Sequence, residues 1–188
     1  RLGTASSSAS AAGTTLAGTT AADAAAPGAV PAPVPVLALD GMVIHEESGR
    51  RATGVQVFGV DDRFWRLHGV SHGVTGVNGP SGRTAYMSPA LAAEFGAKAD
   101  DALQLRVQKP SAIPSGVLQG RRDEPGRAVR LTLGRVLTRE QAGEFSPSPR
   151  QGDARTIFVP LDRLQRDVDL PGLANMVLVG GSLGADAT

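Results

Sequence analysis

Apolar and polar side chains alternate with a period of two in several stretches of this chain, as in β-strands that have one buried face. The alternation is clearest at 55–60, 103–107 and 129–133. Shorter apolar runs predict further strands at 34–39, 84–87, 157–159 and 175–179. The pattern therefore predicts a domain whose main component is a sheet.

The pairing of the first strands has two readings. Asp40-Gly41 is a strong hairpin signal, which makes Met42–His45 the returning strand of a hairpin. A second turn at Glu47–Arg50 would instead pair that segment forward with Thr53–Phe58. Both alternatives are antiparallel.

The densest apolar stretch is 54–70, which contains the only Trp and two of the five Phe. Asp61 or Asp62 is expected to cap a short helical turn that carries Phe64 and Trp65. A Phe-Trp pair buries a large apolar area, so we interpret Phe64 and Trp65 as structural anchors without a chemical role.

Two more short helices are predicted from their end signals. Ser88 is a good N-cap with Pro89 at the first helical position, and Gly96 ends that helix after Phe95, a third structural anchor. Pro160 opens another helix in the same way.

Helices that alternate with strands predict an α+β or mixed α/β domain with a mostly antiparallel or mixed sheet and a few short helices. Residues 1–32 are almost entirely Ala, Ser, Thr, Gly and Pro, so we expect a low-complexity, flexible lead-in. The folded domain is expected to span 33–188.

Composition excludes several classes of function. The 19 basic and 18 acidic residues give a net charge of +1, and no basic cluster alternates with aromatic residues, so a nucleic acid is not an expected partner. The absence of Cys excludes disulfides, thiolate metal sites and Cys nucleophiles. No apolar run is long enough to span a bilayer, and a first residue that is not Met suggests a processed product or a fragment.

The sharpest catalytic motif is Gly180–Gly184, which matches the G-x-S-x-G elbow of serine hydrolases around Ser182. In that arrangement the Asp and His follow the Ser, and no His follows here, so we favour a plain glycine turn. The glycines of 73–82 lack the Lys of a phosphate-binding loop, and we expect no cofactor.

A metal site has a weaker signal. His68 and His72 are four residues apart, the spacing of two ligands on one helical face, and His45 would be a third ligand. Gly69 and neighbouring glycines disfavour that helix, so we expect no metal. The acid pairs 61–62 and 100–101 are interpreted as caps.

Seven blocks of sequence between 33 and 180 resemble, in order, the extracytoplasmic, MacB-like periplasmic core domain of FtsX-like ABC transporter permeases. The blocks are GVQVFGVDDRFWRLHG, YMSPALAAEFGAKADDALQLRV, PSAIPSGVLQGRRD, VRLTLGRVL, GEFSPSPRQ, TIFVPLDRLQ and ANMVLV. The chain departs from the family pattern at Ser88, where we expect Asn, and at Asp100, where we expect Gly.

The resemblance implies a non-enzymatic domain on the extracytoplasmic face of the bacterial inner membrane that relays conformational change or docks a partner during ATP-driven export. Its implied partners are a cytoplasmic ABC ATPase, reached through the membrane part of the permease, a periplasmic protein, and a second permease in a dimer. Val74 and Val77, in the glycine-rich loop, are the expected partner contacts. The alternatives are a free-standing periplasmic or secreted binding module and, less favoured, a serine hydrolase fragment.

Overall fold

A computed structural model describes residues 32–70, 78–107, 127–147 and 152–180. Several sequence predictions fall outside these residues and therefore cannot be compared with it: the lead-in up to residue 31, the metal ligand His72, the partner contacts Val74 and Val77, and Ser182 of the elbow motif.

Seven strands and three short α-helices make up the described part of the chain. The strands are β1 (Val34–His45), β2 (Arg51–Val60), β3 (Thr84–Met87), β4 (Ala102–Val107), β5 (Arg127–Val136), β6 (Thr156–Pro160) and β7 (Met176–Leu178). The helices are α1 (Asp62–Leu67), α2 (Pro89–Phe95) and α3 (Leu161–Asp167), with a 3-10 turn at Arg139–Gln141.

Six of the strands form a closed barrel. Their order is β2-β6-β3-β5-β4-β1, and β1 also pairs with β2, which closes the sheet on itself. The pairs β2–β6 and β3–β5 are parallel and the other pairs are antiparallel. The seventh strand, β7, lies outside the closed ring and pairs with the start of β1.

The predicted α+β or mixed α/β fold of the MacB-like type is wrong, because the sheet is a closed mixed barrel. The strand-helix-strand unit at 84–107 shows why. Its two strands, β3 and β4, do not pair with each other but lie on opposite sides of β5. Closure lets the barrel fill its interior with its own side chains, so helices need not cover the sheet as a layer.

The hairpin predicted at Asp40-Gly41 is also wrong. Strand β1 runs through it, with a shift of register between Gly41 and Val43. A Cβ atom at Gly41 would lie 2.9 Å from the carbonyl oxygen of Arg106, so the close approach of β4 requires glycine there. The alternative, forward pairing across the turn that follows His45, is confirmed in direction, but Val43 and Ile44 lie opposite Ala52 and Arg51 rather than opposite 53–58.

Alternation along the paired strands β2 and β6 separates two apolar clusters. Val57 and Ile157 belong to the cluster that fills the barrel, which also receives Leu105 of β4. Phe58 and Phe158, one residue further along each strand, belong to a second cluster on the outer face of the barrel. One face of each strand therefore contributes to the barrel interior, and the other face contributes to the apolar cluster on the outside of the barrel.

Helices α2 and α3 extend the interior cluster. Leu91 and Phe95 of α2 and Leu161 and Leu164 of α3 are buried in it. A Cβ atom at Gly59 would lie 3.0 Å from Leu164 Cδ2, so this glycine lets α3 approach β2 closely.

Candidate functional site

The most elaborate polar arrangement of the described residues surrounds His45, at the end of β1. His45 lies opposite Leu103 of β4. Asp101, two residues before Leu103, therefore falls on the same face, diagonally across from the histidine. His45 is 3% exposed, and its Nε2 lies 3.0 Å from Asp101 Oδ2.

One face and both nitrogens of the His45 ring have neighbours that fix its orientation. Its Nδ1 lies 2.7 Å from Ser48 Oγ in the turn that follows β1. Phe95, the last residue of α2, stacks on the ring with centroids 6.0 Å apart and planes 18° from parallel. The end of α2 is set locally, because Gly96 adopts a left-handed conformation with φ of 66°.

The Asp101 carboxylate is stabilised in its charged form. The backbone N–H of Lys98 donates to Asp101 Oδ2 at 2.7 Å, and this bond, followed by the interaction with His45, lowers the pKa of Asp101. The preceding residue, Asp100, has φ of 73°, and its N–H donates to the carbonyl oxygen of Leu133. This hydrogen bond attaches the loop between α2 and β4 to β5, next to Asp101.

Glu47 completes a cluster of three groups that can ligate a cation. One ligand atom from each of His45, Glu47 and Asp101 lies within 4.8 Å of the others. The amino-acid sequence does not reveal this combination, because His45 and Asp101 are 56 residues apart along the chain. The register of β1 against β4 would have brought His45 and Asp101 together, but it can be used only once these strands are known to pair.

His68 has a different environment. Its Nδ1 lies 2.9 Å from the carbonyl oxygen of Phe64, and its ring packs 4.3 Å from the Phe64 ring and 5.2 Å from that of Phe145. These contacts place His68 in the aromatic cluster outside the barrel.

The aromatic anchors predicted on α1 lie in the outer cluster. Asp61 caps the helix, accepting a hydrogen bond from the N–H of Arg63 at 2.9 Å. Phe64 and Trp65 are 0% and 2% exposed, and both rings pack against Phe158 of β6 at 5.7 and 5.6 Å. The helix is therefore attached to the barrel wall by its two largest side chains.

A shallow depression of about 280 Å³ lies elsewhere on the surface. It is lined by Pro89, Ala90, Glu144, Asp153 and Ala154. Ligand pockets of enzymes are typically larger, about 300–1,000 Å³, and enclose most of the ligand.

No protein-family model matches this chain, and no curated protein matches it significantly. Within the described ranges, no helix has the length and apolar character needed to cross a membrane.

Proposed function

We propose that this chain is a non-catalytic extracytoplasmic part of an FtsX-like ABC transporter permease. In this role it relays conformational change or docks a partner during export driven by a separate cytoplasmic ATPase. The order of the seven sequence blocks supports this proposal. The closed barrel differs from the expected family fold, so the structural support comes from the two ends of the described domain.

The observation that carries the proposal is the position of the first and last described strands. Val34 at the start of β1 pairs with Leu178 at the end of β7. Paired Cα atoms in antiparallel strands are about 4.5–5.5 Å apart, and packed helices are about 8–10 Å apart. A domain that the chain enters and leaves at neighbouring points fits between two adjacent transmembrane helices of a longer protein.

The point where the chain leaves the barrel is firmly connected to it. The side-chain amide of Asn175 accepts from the N–H of Ala38 and donates to its carbonyl oxygen, both at 2.7 Å. Gln165 of α3 donates to the carbonyl oxygen of Leu173 at 2.7 Å. A displacement applied beyond β7 would therefore pass into β1 and α3, as relay of motion requires.

Cysteine labelling of the natural gene product, with any segments that flank these residues, tests the proposal. The chain has no Cys, so an introduced one is the only thiol in this region. Ala93 of α2 is exposed and its neighbour Ala92 is 6% exposed. We expect Ala93→Cys to react with a membrane-impermeant maleimide in intact cells, whereas Ala92→Cys reacts only after unfolding.

The same labelled protein is then followed through fractionation. The proposal predicts that it stays with membranes after an alkaline carbonate wash. Labelling of Ala93→Cys only after lysis would refute an extracytoplasmic location. Labelling in intact cells followed by release into the soluble fraction would instead support a free-standing binding module.

A further inference from the structure

His45, Asp101 and Glu47 have no part in the proposed relay, yet they form a site with the chemistry of a cation centre. Two ligand atoms that lie at right angles about 2.1 Å from one ion are separated by about 3.0 Å. His45 Nε2 and Asp101 Oδ2 are 3.0 Å apart. The two atoms therefore already have the separation of two ligands of one cation.

The surroundings of these groups resemble the supporting contacts of metal ligands. A ligating histidine usually has its second ring nitrogen hydrogen-bonded, which fixes the ring and the tautomer. Ser48 Oγ occupies that position at His45 Nδ1, 2.7 Å away. The N–H of Lys98 holds the ligating oxygen of Asp101, and Phe95 covers the ring face of His45.

The third ligand comes from the turn between β1 and β2. Glu47 is exposed, and one oxygen of its carboxylate lies within 4.8 Å of a ring nitrogen of His45 and of a carboxylate oxygen of Asp101. The charge of Lys98, which also lowers the pKa of Asp101, offsets part of the attraction for a cation. Two carboxylates still give the three ligands a net negative charge when the histidine is neutral.

We propose that His45 Nε2 and the carboxylates of Asp101 and Glu47 bind a divalent transition-metal ion, with water in the remaining positions. One imidazole and two carboxylates suit a borderline ion such as Zn²⁺ better than Ca²⁺, which prefers oxygen ligands throughout. The inference goes beyond the proposed function and does not depend on it.

Calorimetric titration of the metal-free 188-residue chain with Zn²⁺ tests the site. We expect one ion bound per chain at His45. Glu47→Gln keeps the shape of a side chain on an exposed turn and should weaken Zn²⁺ binding at least tenfold. Loss of a group that only supports a metal ligand already weakens metal affinity by about tenfold or more. Mg²⁺, which favours oxygen ligands, should not compete at equal concentration.

Two controls separate this site from adventitious binding. His68→Gln removes a histidine outside the cluster and should leave the dissociation constant unchanged. Asp101→Asn should also weaken Zn²⁺ binding, and its folding is checked by circular dichroism because the change alters the contact with buried His45. The wild-type chain supplies a readout that needs no variant. In the wild-type chain, Zn²⁺ should shift the ¹⁵N resonance of His45 Nε2.

The proposal is overturned by any of three results: no Zn²⁺ binding at millimolar concentration, equal affinity in wild type and Glu47→Gln, or ¹⁵N shifts confined to the other histidines. Because the titration uses the chain without a membrane, its outcome does not depend on whether the permease proposal is correct.

Discussion

Replacing Ser88 by Ala removes two buried hydrogen bonds, one that caps α2 and one that joins the start of α2 to β6. Ser88 is 0% exposed, and its Oγ accepts from the N–H of Leu91 at 3.4 Å and from that of Thr156 at 3.1 Å. Loss of an N-cap costs about 1 kcal/mol. A buried N–H left without an acceptor, as at Thr156, costs about 1–3 kcal/mol more.

We therefore expect Ser88→Ala to lower the free energy of unfolding by about 2–4 kcal/mol, which lowers the Tm by on the order of 10 °C. Urea denaturation followed by Trp65 fluorescence measures this directly, because the chain has a single Trp. Ser81→Ala, at an exposed serine, is the matched control and should change stability by less than about 0.5 kcal/mol. A loss of under 1 kcal/mol in Ser88→Ala would refute the reasoning.

Three other predictions each concern one residue. Burial raises the pKa of Tyr86, the only Tyr, so the absorbance change at 295 nm should occur above pH 10.0 in the folded chain and near pH 10.0 in urea. Because the unfolded chain then loses its proton first, the free energy of unfolding should fall as the pH rises through 10. Gly134→Ala would place a Cβ in steric overlap with Thr84 Cγ2 and should lower the free energy of unfolding by about 1–3 kcal/mol. Adding Thr84→Ser should recover most of that loss, and no recovery would contradict the contact. Asn175→Ala, which loses both hydrogen bonds to Ala38, should cost about 1–2 kcal/mol by denaturation, and an unchanged midpoint would argue against a firm connection.

Local elements of this fold were predictable because their causes are local. The cap at Ser88, the proline after it and the stop at Gly96 act within one helix, and the structure confirms all three. The N-cap Asp61 is confirmed for the same reason. Chain order alone does not determine which distant strands pair, so the pairs β1–β4, β2–β6 and β3–β5 that complete the ring were not predictable from alternation.

The candidate site was missed for a related reason. His45 and Asp101 are 56 residues apart and meet only because β1 pairs with β4. Spacing rules relate residues on one helix or strand, and they directed attention to His68 and His72 instead. The Asp40-Gly41 signal also misled, because a glycine required for close approach of β4 looks in sequence like a turn glycine.

Reading the coding sequence on both sides of these 188 residues tests the central claim most directly. A permease domain requires an apolar segment of about 20 residues close to each side, since a transmembrane helix needs that length. We expect to find such segments before residue 1 and after residue 188. Stop codons or only polar sequence on both sides would contradict the permease assignment and leave a free-standing module as the better account.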